Sequence, residues 1–226
     1  MFKNKLWLSV PFLSLLAMVC RWVQFHLGTD ARGLLVPGHP AAWCLGALTL
    51  AALACVWFCG ESRHSCPQKV AGVCSALLAL SILLSRENAA IVSLLPTMVN
   101  YIRAGLLLAL AICQWKGRKT EPVLYACLCV CTLIDLIVCY QTWSREPQLQ
   151  SYLFALLGSL SLAAYTYQRA ALELNMGSTL WCRRFALAGS YLLLAASVFP
   201  ASPIRFYSAL WLLCGSMEDT GSPKES

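Results

Sequence analysis

The chain has 226 residues, 59% of them hydrophobic and only 12% charged, with a formal net charge of +7. A soluble domain carries about 25% charged residues. A single core of this size cannot hide so much apolar surface, so the bilayer is the natural solvent. The positive charge does not point to nucleic acid, because the lysines and arginines sit in small clusters between apolar runs, with no basic domain or stripe.

Taken in chain order, eight apolar runs read as helices: Leu6–Phe25, Ala41–Cys59, Val70–Ser85, Ile91–Trp115, Val123–Tyr140, Tyr152–Gln168, Phe185–Pro200 and Phe206–Gly215. Spanning a membrane takes roughly 20 residues. The first, second, fourth and fifth runs meet that length, and the third, sixth and seventh need flanking residues. The eighth has Pro203 and Arg205 crowding its start, which leaves it either a span or an interfacial segment. The expectation is an all-α, polytopic integral membrane helix bundle with seven or eight transmembrane helices. It forms one transmembrane domain over residues 1–216, with a disordered tail at 217–226 rich in Ser, Gly and acidic residues.

Charge sets the expected orientation. With the N-terminus in the cytoplasm and strict alternation, the inner segments hold Lys3, Lys5, Arg63, Lys69, Lys116, Arg118, Lys119, Arg169, Arg183, Arg184 and Lys224. The outer segments hold only Arg32, Arg86, Arg145 and Arg205, which satisfies the positive-inside rule. Lys3 and Lys5 before an apolar run also suit a signal peptide, but no small-x-small cleavage site follows, so an uncleaved first helix is expected.

Two charges fall deep within spans. Arg103 lies thirteen residues before Lys116, and Asp135 lies thirteen residues after Pro122. At about 1.5 Å per residue, both sit roughly 20 Å above the same surface. Their helices are consecutive and joined by a short loop, so they are expected to pack antiparallel and to pair the ions. A lone charge at mid-bilayer costs at least about 2.5 kcal/mol, and arginine's planar fork suits a carboxylate. Asn100 lies one turn from Arg103. Cys131 and Thr132, with Cys127, share the Asp135 face and complete the candidate polar set. The pair reads either as a latch that fixes helix register or as part of a solute or proton path. Arg21, near the outer end of the first run beside Trp22, is expected to snorkel to the interface.

The remaining residues carry little chemistry. Thirteen cysteines fall mostly within spans, where they pack as small apolar groups, and Cys129 points away from Cys127 and Cys131 on a helix. The histidines His26, His39 and His64 are scattered. No metal-binding, phosphate-binding or nucleophile motif occurs, so no catalytic residue, cofactor or metal site is expected. Asp30, Glu87 and Glu146 are the only acidic candidates for chemistry at the outer face. Small residues recur on the third run (Gly72, Ser75, Ala76, Ala79) and the sixth (Ser151, Ala155, Ser159, Ala163), giving faces for close helix packing or oligomer contacts. Ser85-Arg-Glu-Asn88 and Ser144-Arg-Glu-Pro147 hint at a repeat, although bilayer-length helices alone produce a regular interval.

The functional expectation is a small-solute transporter or permease subunit using the Arg103–Asp135 pair. The alternative is a non-catalytic assembly or scaffold subunit of a larger membrane complex, and a membrane enzyme acting on lipid is a weaker third class. The expected partners are the lipid bilayer and other membrane proteins or further copies of the chain, not nucleic acid, in a bacterial plasma membrane.

Overall fold

The computed structural model describes residues 8–29, 35, 38–59, 67–85, 94–144, 149–198 and 201–217. Among them are eight helices: α1 (Ser9–Leu27), α2 (Pro40–Phe58), α3 (Gln68–Leu84), α4 (Leu94–Trp115), α5 (Pro122–Trp143), α6 (Leu149–Glu173), α7 (Thr179–Ser197) and α8 (Pro203–Ser216). No strand forms among the described residues, where the sole pairing of extended backbone is an isolated bridge between Thr29 and Leu35. The acidic tail from Glu218, and with it His64, Cys66, Asp30, Glu87 and Glu146, lies outside the described residues.

Local chemistry fixes the helix ends. Prolines open α2, α5 and α8 at their first turns, where a missing N–H costs nothing. At α2 the His39 imidazole Nδ1 also accepts the Ala41 N–H at 3.2 Å. At the end of α4, Gly117 takes φ 62° and Arg118 N–H reaches back to the Cys113 carbonyl at 3.0 Å, which satisfies the last turn. Asn175 does the same for α6 at φ 58°, with Met176 N–H on the Ala171 carbonyl.

One sequence expectation, the loop placement of three arginines, is corrected here, and two readings left open are narrowed. Pro203 and Arg205 do not spoil the eighth helix. Pro203 starts it, and Arg205 turns back to donate from Nη1 to the Ala196 carbonyl at the end of α7. Arg169, Arg183 and Arg184 are not loop residues, because α6 and α7 run past their apolar stretches into these cations and leave a short connection between Glu173 and Thr179. Ser75 and Gly72 are buried, as are Ala155 and Ala163 of α6, so much of both small-residue faces is spent inside the bundle. Ser151 has no described side chain.

Side-chain contacts show that successive helices alternate in direction. At one end Arg205 stacks on Trp143, Trp143 on Tyr152, and Arg21 on Phe154, which gathers the C-termini of α1, α5 and α7 with the N-termini of α6 and α8. At the other end Arg184 bonds the Trp57 carbonyl, Thr120 bonds Glu173, and Cys74 meets Cys214. Helices α3, α4, α5, α6 and α8 close a ring. Helix α7 packs behind α6 and α8 and joins them to the α1–α2 pair. It is the most buried helix, with Leu187, Tyr191, Leu193 and Ala195 in the two hydrophobic clusters.

Polarity runs inside out. On α1, Ser14, Arg21 and Gln24 are buried while Phe12, Leu15, Val19 and Trp22 are exposed. On α4, Arg103 and Gln114 are buried while Ile102, Leu108, Ile112 and Trp115 are exposed. A water-soluble protein does the reverse. Among the described residues, four helices are long and apolar enough to cross a membrane: α1, α2, residues Pro96–Trp115 of α4, and α5. Helix α3 is a shorter apolar helix.

Candidate functional site

Arg103 projects from α4 toward α5, where its Nη1 donates to Asp135 Oδ2 at 2.8 Å. The guanidinium side chain is 7% exposed and the carboxylate 29%. The two ends of this charge-assisted bond therefore meet water or lipid unequally. Arg103 belongs to a buried face of α4 that runs Val99, Arg103, Leu107, Leu110 and Gln114 at helical spacing. Asp135 continues the buried face of α5 defined by Tyr125, Leu128, Cys131 and Thr132.

Beside the pair the ring of five helices leaves a cavity of about 10 Å³, lined by Arg103, Thr132, Ser208 and Trp211 with surrounding leucines. That holds about one water, and Asp135 is not in its lining. The Thr132 hydroxyl donates to the Leu128 carbonyl at 2.8 Å, so its proton is committed to its own helix. Cys131 is buried next to it, and Asn100 is half-buried one turn before Arg103. Cys127, expected on the same face, is exposed, because the buried stripe of α5 passes through Leu128 instead. Cys129 turns to α6, where its thiol donates to the Ala163 carbonyl at 3.4 Å.

Arg21 does not extend outward as snorkelling requires. It is 2% exposed, donates to Gln24 Oε1 at 3.0 Å, and lies 4.6 Å from the Phe25 ring centre and 5.3 Å from that of Phe154. The aromatic rings of α1 and α6 supply the favourable environment that snorkelling would otherwise seek.

Other polar contacts between helices were not foreseen. Ser75 donates to Gln114 Oε1 at 3.1 Å between α3 and α4, and Thr49 shares a hydrogen bond with the Tyr191 hydroxyl at 3.1 Å between α2 and α7. Gln114 was findable, since it falls eleven residues after Arg103 on the same face. Tyr191 was not, because nothing in its neighbourhood marks which tyrosine of the chain turns inward. Among the described residues no group of three or more His, Cys, Asp or Glu side chains is placed to hold a metal ion.

No protein-family model matches the chain, and no curated protein or solved structure matches it either.

Proposed function

We propose that the protein is a polytopic integral membrane protein whose eight alternating helices cross the bilayer with the N-terminus in the cytoplasm, and that it acts as a non-catalytic assembly subunit. The membrane half of this reading is supported by the inside-out polarity of α1 and α4 and by the aromatic residues exposed toward both helix ends. Trp22 and Trp43 lie toward one end, and Trp57, Trp115 and Trp181 toward the other. The basic loop Lys116–Lys119 supports a cytoplasmic placement of that end of the bundle.

The observation that carries the functional half is the closed interior at the charge pair. A path for a solute needs polar groups facing a space the solute can enter. Here Arg103 is held by Asp135, Thr132 is bonded to its own backbone, and the adjoining cavity takes about one water. Such a pair serves as a register latch between α4 and α5. The test is purification in mild detergent from the native membrane, followed by native mass measurement. An assembly subunit gives a stoichiometric complex with at least one other polypeptide, heavier than the 24.8 kDa chain. A monodisperse single chain that takes up a solute in proteoliposomes would overturn this reading.

One observation favours the transporter as the second reading. Asp135 keeps 29% of its side chain exposed, so its carboxylate is not sealed inside the bundle. On that reading Asp135→Asn abolishes uptake while leaving the fold intact.

A further inference from the structure

A trough runs between α3 and α4 on the outside of the bundle. Its volume is about 490 Å³, within the range of roughly 300–1,000 Å³ typical of ligand sites. Ala76 and Leu80 line one wall, and Leu108 and Ile112 the other. Trp115 closes one end beside Lys116, the single charged residue in its lining. From Leu108 to Lys116 the trough is about 12 Å long at 1.5 Å per residue. Its walls are apolar along that length, which suits a flexible hydrocarbon chain.

The charge at its mouth specifies the other half of the occupant. A side chain built at Gly117 would meet Gln68 at 3.8 Å, so the end of α4 and the start of α3 lie together. This brings Lys69 to the same rim as Lys116, Arg118 and Lys119, all four exposed. Two carboxylates lie nearby: Glu121, which is exposed, and Glu173, which accepts the Thr120 hydroxyl at 3.2 Å. Cations at the rim of an apolar trough, with a tryptophan between them, match a ligand with an anionic head and a hydrocarbon tail.

We propose that this trough binds an anionic phospholipid, its acyl chains between α3 and α4 and its phosphate among Lys69, Lys116, Arg118 and Lys119. The proposal rests on the membrane reading above and on no part of the assembly reading. It is tested by native mass spectrometry of the full chain released from nanodiscs containing equal phosphatidylglycerol and phosphatidylcholine. The wild type retains phosphatidylglycerol in preference to phosphatidylcholine. The double substitution Lys116→Gln and Lys119→Gln cuts that preference by about fivefold per lysine, and Ala76→Trp, which fills the trough, removes both lipids. Leu15→Trp, on the exposed face of α1, leaves retention unchanged and controls for bulk alone. Circular dichroism and gel filtration confirm that each variant is folded, and Ala76→Phe replaces Ala76→Trp if the larger ring prevents folding.

Equal retention of both lipids by the wild type overturns the proposal. So does undiminished binding in the filled-trough variant, or a second copy of the chain displaced by that variant. Extraction of the chain by alkaline carbonate would instead show that the membrane reading itself fails.

Discussion

Arg103 and Asp135 join α4 to α5 through one 2.8 Å bond in which the cation is almost wholly buried and the anion is not. The inequality has consequences. Removing the carboxylate strands a buried guanidinium, whereas removing the guanidinium leaves a carboxylate that is already partly exposed. Asp135→Asn is therefore expected to destabilise by about 3 kcal/mol, at the low end for a broken buried pair, and Arg103→Gln by less. Unfolding in mixed detergent and SDS measures both. The exchanged pair, Arg103→Asp with Asp135→Arg, recovers part of the loss if the latch description holds, and recovers nothing if the two residues act separately.

The glycines give a graded series. A Cβ at Gly215 would overlap the Tyr165 hydroxyl, and one at Gly72 would lie 3.2 Å from the Ala111 carbonyl, whereas Gly46 has open space around it. Gly215→Ala should cost about 1–3 kcal/mol through overpacking. Gly72→Ala should cost less, and Gly46→Ala should be neutral or stabilising by up to about 1 kcal/mol. Thermal midpoints in one detergent rank the three, and an equal effect at all three sites would contradict the packing described.

Thr49 and Tyr191 tie α2 to α7 by a hydrogen bond between hydroxyls. Interhelical bonds of this kind average about 0.6 kcal/mol in a membrane protein, so Tyr191→Phe should be mild. Tyr191→Ala should cost about 3–5 kcal/mol, as an emptied aromatic site does, since the ring is 1% exposed. A double-mutant cycle with Thr49→Val isolates the hydrogen-bond part.

Cys74 and Cys214 place their sulfurs 3.4 Å apart between α3 and α8. Mild oxidation with copper phenanthroline is expected to join them and to produce a faster-migrating species on non-reducing gels. Cys74→Ser should abolish that species, and Cys20→Ser should not. The outcome decides whether the short last helix runs antiparallel to α7 through the bundle, because an interfacial α8 would hold Cys214 far from α3.

The charge pair was legible in the sequence through depth alone. Two helices of regular rise, leaving one surface by a short loop, put residues thirteen positions from it at equal height. Azimuth was less legible. Cys127 was expected beside Asp135 and is exposed, because a tilt of the helix by a fraction of a turn moves a residue off the contact face, and neighbours set that tilt. Arg21 shows the same limit. Its sequence context suggests an end that reaches water, but its surroundings in the fold are the rings of Phe25 and Phe154.

The sequence by itself determined that long apolar segments follow one another and that the basic residues cluster between or at the ends of them. These depend on composition and on rise per residue, which each segment carries alone. The tertiary structure decided that α7 is the buried helix, that the small faces of α3 and α6 are turned largely inward, and that the interior beside Arg103 leaves room for about one water. These depend on which helices become neighbours. In an apolar solvent one oily face is much like another, so only the fit of one surface against the next makes that choice.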